Sequence, residues 1–226
     1  MRNISVAIDG PAAAGKSTIA KKVAALLGFV YIDTGAMYRA FTWAVMEKGI
    51  DPQDQEASCS LIGQVSITLE EDGRVLCNGI DVTRAIREPR VSGNVSYIAS
   101  YKDIRLELVD MQRALAQSKS VVMDGRDIGT YVLPNAEVKI FQIASAECRA
   151  KRRYDENMAK GIPTSLDDVI ADVKKRDYID SHRDFAPLRQ AEDAIALDTS
   201  EMTIPEVVDA VLNIIHEKTG LEIPCH

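Results

Sequence analysis

Residues 10–17 read Gly10-Pro11-Ala12-Ala13-Ala14-Gly15-Lys16-Ser17, a G-x-x-x-x-G-K-S string. Two glycines at this spacing let the backbone turn sharply and come close to an anion. A lysine and a hydroxyl at its end suit a nucleotide phosphate and a hard divalent cation. The string lies between an apolar run, Ile4-Ser5-Val6-Ala7-Ile8, and an amphipathic run from Thr18 to Leu27. Strand, glycine turn and helix is the context the motif requires, with exposed N–H groups and the helix dipole favouring the anion. Residues Gly10 to Thr18 are therefore read as an ATP cradle, with Lys16 reaching the β/γ-phosphates and Ser17 ligating Mg²⁺.

Two further clusters carry candidate chemistry. Asp33-Thr34-Gly35-Ala36-Met37-Tyr38-Arg39 opens a helix after a short strand. Thr34 reads either as a helix cap or, with Arg39, as a second phosphate grip. Asp124-Gly125-Arg126-Asp127 ends another strand. Asp124 is a Mg²⁺ candidate, directly or through water. Arg126 could touch transferring phosphates, and Asp127 could accept from a base amino group. Arg149, Arg152 and Arg153 fall on one helical face, as do Arg176, Asp180 and Arg183. Such stripes are often only solvated faces. Beside a phosphate loop, arginines with planar, permanently charged forks read as a phosphate clamp. Met37, Tyr38 and Trp43 are read as packing. His182, His216 and His226 form no triad or metal set.

The elements that must position these groups follow from periodicity. Short apolar strands at 4–8, 29–32, 120–124, 138–143 and 194–198 alternate with helices at 18–27, 36–48, 102–118, 145–160, 165–182 and 204–218. A further helix is expected at 89–98, and residues 51–60 read as irregular. This alternation predicts an α/β fold, a parallel sheet with helices on both faces and ligands at the carboxyl ends of its strands. Between 65 and 82 the texture changes. Alternating runs punctuated by Asp72-Gly73 and Asn78-Gly79 predict a small antiparallel meander.

Composition excludes several classes. The 226 residues carry a net charge of −7, which argues against a nucleic-acid partner. No run approaches membrane-spanning length, and a strand begins almost at the first residue, so neither membrane nor signal segment is expected. Cys59, Cys77, Cys148 and Cys225 are scattered and read as free thiols. The expectation is a single cytoplasmic domain spanning 1–226, working as a monomer.

Taken together, the chain resembles the bacterial cytidylate kinases, over nearly its whole length. The resemblance rests on Ile8-Asp9-Gly10-Pro11, the phosphate loop, 33–39, Asp124 to Thr130, Lys175-Arg176-Asp177, Ala186-Pro187-Leu188 and the meander. It implies a P-loop NTPase fold with the meander inserted in a monophosphate-binding region at about 34–100. It also implies a short helical lid at about 154–166, bordered by Arg149, Arg152 and Arg153. It implies that ATP and Mg²⁺ phosphorylate CMP, and dCMP to some degree. Thr34 and Arg39 would bind the CMP phosphate; the family often carries serine at position 34. Ser96, Arg105 and Asp127 would read the cytosine, Arg176 and Asp180 would hold the ribose, and Arg126 and Arg183 would lie near the phosphates or the pyrimidine. The main rivals are a related kinase with another acceptor and a nucleotide-binding regulator without fast phosphoryl transfer.

Overall fold

The computed structural model describes residues 3–159 and 161–223. Cys225 and His226, named above, lie outside these, as does the last residue of the helix expected at 145–160. In chain order the elements are β1 (Ser5–Asp9), α1 (Lys16–Leu27), β2 (Val30–Asp33), α2 (Thr34–Glu47), α3 (Gln55–Cys59), β3 (Ile67–Leu69), β4 (Val75–Cys77) and β5 (Ile80–Asp81). There follow α4 (Pro89–Ser92), α5 (Val95–Ile98), α6 (Lys102–Ala116), β6 (Val121–Gly125), β7 (Val138–Ile143), α7 (Ala146–Ala159), α8 (Leu166–His182), β8 (Ile195–Asp198) and α9 (Ile204–Thr219). A 3₁₀ turn covers Ala85–Arg87 and a wide helical turn Ile128–Val132.

A five-stranded sheet runs β2-β6-β1-β7-β8, every pairing parallel. Val6, Ala7 and Ile8 of the central strand are wholly buried, as continuous apolar runs require in a sheet covered on both faces. On one face α1 and α9 meet through Ile19, Val23, Val208 and Leu212. On the other, Val109 of α6 packs with Ile32, Met123 and Ile128. A third cluster joins α2 and α6 to the three-stranded sheet β3-β4-β5 through Phe41, Val75, Cys77 and Leu108. That sheet is the expected meander. Asn78 and Gly79 both take positive φ, 49° and 79°, the tight hairpin that the dipeptide signals.

Three local readings change. The stretch 51–60 holds α3, capped by Asp54, whose side chain accepts from the Ala57 N–H. The helix expected over 89–98 is broken at Gly93-Asn94 into α4 and α5. And α2 begins at Thr34, two residues early, because Asp33 is its cap, accepting from the Ala36 N–H at 2.7 Å. Cys59, Cys77 and Cys148 are free, and no helix among the described residues is long and apolar enough to cross a membrane.

Candidate active site

The carboxyl ends of β1, β2 and β6 open into a cavity of about 620 Å³. The loop from β1 to α1 forms one end of it. Gly10 has φ +150°, and a Cβ there would lie 2.0 Å from the Gln142 carbonyl oxygen, so only glycine fits against β7. Gly15 and, unexpectedly, Ala13 also take positive φ, 89° and 59°. Two of the loop carbonyls are held by side chains from other elements. Ala12 O accepts from Arg149 at 2.9 Å, and Ala14 O accepts from Gln142 at 2.6 Å. Gly15 caps α1 without a side-chain bond, leaving the helix start open to an anion. Of the predicted cradle, Ala13 to Thr18 line the cavity, while Gly10, Pro11 and Ala12 support them from behind.

Lys16 is buried and its Nζ donates to Pro11 O at 2.7 Å. Burial, then Arg126, pushes its ammonium down to about 7. Ser17 Oγ donates to Asp124 Oδ2, and Tyr31 OH to Asp124 Oδ1, each at 2.8 Å. Burial, then Asp33, lifts the Asp124 carboxyl to about 6. A hydroxyl and a carboxylate so paired are a fitting partial shell for Mg²⁺, which takes few protein oxygens and keeps phosphate and water ligands.

The opposite end of the cavity is lined by Thr34, Tyr38, Arg39, Ser96, Arg105 and Asp127. Thr34 is not a cap; its hydroxyl donates to Asp124 O at 2.7 Å and ties α2 to β6. Arg39 pairs with Asp33 at 3.2 Å. Arg105, 1% exposed, donates to Asp127 and to Ala99 O at 2.9 Å. Arg183 approaches the other Asp127 oxygen at 3.4 Å. Two buried guanidiniums thus flank one carboxylate, whose lone pairs exceed the bonds they supply. Tyr38, expected only to pack, forms part of this wall, with the Arg105 guanidinium 5.2 Å above its ring. Burial pushes its hydroxyl up to about 12.

Between the ends runs a bar of charge. Arg126 donates to Asp180 at 2.8 Å, and Arg176 donates to Ser92 O. Burial would raise the Asp180 carboxyl, but Arg126, Arg183 and Arg176 together more than reverse it and hold it below the usual range. Arg176 and Asp180 share a face of α8 as their spacing reads, and both line the cavity with Arg183, which lies one residue past the end of that helix in extended backbone. The other stripe divides. Arg152, donating to Thr199 O at 2.6 Å, and Arg153 line the cavity; Arg149 lies behind the phosphate loop.

Several contributors escaped the sequence reading. Asp9, buried beneath the loop, accepts from the Ile128 and Gly129 N–H groups at 2.8 and 2.7 Å and so sets the turn after Asp127. Gln142 braces the loop, and Tyr31 braces Asp124. Met202, Thr203, Ile204 and Val207 add a less polar wall beside α1. The β1–β7 pairing brings Gln142 in and the β2–β6 pairing Tyr31, and the capping box at Thr203 starts the helix that carries Ile204 and Val207.

Comparison with known proteins agrees with this geometry. The sequence model of the family described as Cytidylate kinase matches residues 6–217. A cytidylate kinase of Geobacillus kaustophilus is 51% identical over 222 residues, 97% of this chain and 99% of its own length. Those of Bacillus subtilis and Leuconostoc mesenteroides are 49% and 52% identical, over 96% and 95% of this chain and 99% and 97% of theirs. Among solved structures, a gluconokinase from Sinorhizobium meliloti shares the fold at 13% identity and TM-score 0.51, covering 97% of each chain. The fold is that of the P-loop kinases, and half-identity over the full length places the chain more narrowly: it belongs to the cytidylate kinase family.

Proposed function

We propose that the protein transfers the γ-phosphoryl group of ATP to CMP, and less strictly to dCMP, giving ADP and CDP or dCDP. The observation that carries this is one cavity with two unlike ends. An open helix start with Lys16 faces a buried Arg105–Asp127–Arg183 cluster, with Arg126 and Arg176 between. ATP lies with its phosphates on Ala13 to Thr18 and its adenine against Met202, Ile204 and Val207. Thr34 and Arg39 take the CMP phosphate; Arg39 is already oriented by Asp33. Cytosine presents an amino donor and two acceptors, which suit Asp127 and Ser96 on one side and Arg105 on the other. Asp180 and Arg176 take the ribose.

The acceptor oxygen is anionic at neutral pH, because a phosphate monoester loses its second proton near pH 6. No general base is needed. The residues have to bring two anions together, align them and exclude water. Arg126, Arg152, Arg153 and Arg183 neutralise the converging phosphates, and an anion beside Lys16 favours its charged form against the effect of burial. Ser17 and Asp124 would hold Mg²⁺, which when bound supplies further charge neutralisation on the phosphoryl oxygens. The lid, at about 154–166, closes the cavity over ATP. The free thiols suit a reducing compartment, and we place the enzyme in the cytoplasm as a monomer.

An ADP-release assay with ATP and Mg²⁺, offering CMP, dCMP, UMP, AMP and shikimate separately, tests the reading. Uracil reverses donor and acceptor at two positions and leaves buried charges facing wrong partners, so UMP should be worse by about 10²-fold or more in kcat/KM. Equal kcat/KM for UMP and CMP would break the assignment of Asp127 and Arg105; no turnover with any acceptor would break the kinase reading.

A further inference from the structure

Arg149 does not reach into the cavity, and its guanidinium is almost fully engaged by protein. Nε donates to Ala144 O at 2.9 Å and Nη1 to Ala12 O at 2.9 Å. Nη1 and Nη2 also meet the two carboxylate oxygens of Asp177 at 3.1 and 2.7 Å. Four of the five N–H groups are thereby used, in a bidentate fork that resists rotation. A guanidinium so held cannot grip a phosphate without giving up the pair. Asp177 lies on α8, one residue after Arg176 and three before Asp180, so the same helical turn meets the phosphate loop on one side and Ser92 and Arg126 on the other.

We infer that Asp177 is a positioning residue that couples the two nucleotide sites, through Arg149 on the ATP side and through α8 on the CMP side. This rests on the kinase reading above. ATP phosphates held by the loop fix the Ala12 carbonyl. The fixed carbonyl holds Arg149, Arg149 holds Asp177, and α8 is set with Asp180 and Arg176 already in place. The ordering cost is met by the first nucleotide, and the second binds to a prepared helix. The role of Arg149 is then to brace, and the phosphates are met by the arginines that line the cavity.

The test is CMP binding by calorimetry, with and without a saturating non-hydrolysable ATP analogue and Mg²⁺, on wild type, Asp177→Asn and Asp177→Glu. The coupling predicts that the analogue tightens CMP binding at least about fivefold in wild type. Asp177→Asn keeps the side-chain shape but loses the charge and one acceptor. It should bind each nucleotide alone within about threefold of wild type and show a ratio below about twofold. Asp177→Glu, which keeps the carboxylate, should restore at least half of the wild-type ratio on a logarithmic scale. A purely structural role would lower the melting temperature and leave the ratio intact in Asp177→Asn, and that result overturns the inference. So does a wild type that turns over CMP but binds it equally with and without the analogue. A wild type that neither binds nor turns over CMP overturns the kinase reading and the coupling with it.

Discussion

Asp9 is a carboxylate at the end of the central strand, 5% exposed, with two backbone N–H groups converging on it. Burial raises it from 3.8 to about 7, against the lowering effect of those two bonds. Between these pH values the folded chain holds a proton that the unfolded chain has released. The group therefore favours folding fully below about pH 4, and its contribution falls away as pH rises to 7. In Asp9→Asn one oxygen replaces two where two N–H groups meet, so stability should drop by about 1–3 kcal/mol. Urea denaturation should show the gap between wild type and variant wider at pH 5 than at pH 8; an equal gap at both would show that Asp9 stays ionised. The residue is a reminder that a site's frame can be as charged as its contacts. Position 9 falls just after the strand read at 4–8, and nothing local says that its partners are 119 and 120 residues away.

At the scale of elements, α8 carries the most traffic, and its entry is built from local signals. Ser165 caps it, accepting from the Asp168 N–H at 3.0 Å, and Asp167 and Asp168 complement the dipole in its first turn. Ser165→Ala should cost about 1 kcal/mol of local stability. Amide exchange at residues 166–169 should quicken about fivefold, while that of 177–180 and kcat/KM for CMP change less than twofold. Unchanged exchange at 166–169 would mean the cap is not what starts the helix. The strands, the long helices and the meander were legible because each is written in one local pattern: an apolar run, a 3.6-residue stripe or an Asn-Gly turn. The split of 89–98 was not, since Val91, Ser92, Val95 and Ile98 keep a helical spacing across the break. The candidate site divides the same way. The phosphate loop and the Arg176/Asp180 spacing are local, whereas the placement of Arg183 past the end of α8, of Arg149 behind the loop and of Tyr38 on the cavity wall follows from tertiary packing.

For the whole molecule, the expected consequence of two sites in one cavity is a strong response to a ligand that spans both. A bisubstrate carrying adenosine and cytidine on one polyphosphate chain, at 100 times its Kd, should stabilise the fold by about 2.7 kcal/mol. For a chain of this length that is a rise in melting temperature of about 5–10 °C. ATP or CMP alone at the same multiple of Kd should do no more than this, but only the bisubstrate should reach it at micromolar concentration. A bisubstrate that needed the concentration of either nucleotide alone would mean that the two ends are not occupied together.

The contact between α1 and α9 has a bearing on how the protein comes into being. Ile19, Ala20 and Val23 leave the ribosome early, but the residues that cover them, Val207, Val208, Val211 and Leu212, are nearly the last to be made. At translation rates of 5–20 residues per second, the helix behind the phosphate loop waits roughly 10–40 seconds for its cover. Through that interval the growing chain exposes an apolar stripe, and until β6 is made β1 and β2 lack the strand that lies between them, so the nascent protein is then most open to chaperones and to aggregation. The nucleotide cradle, first in the sequence, is among the last parts of the molecule to be completed.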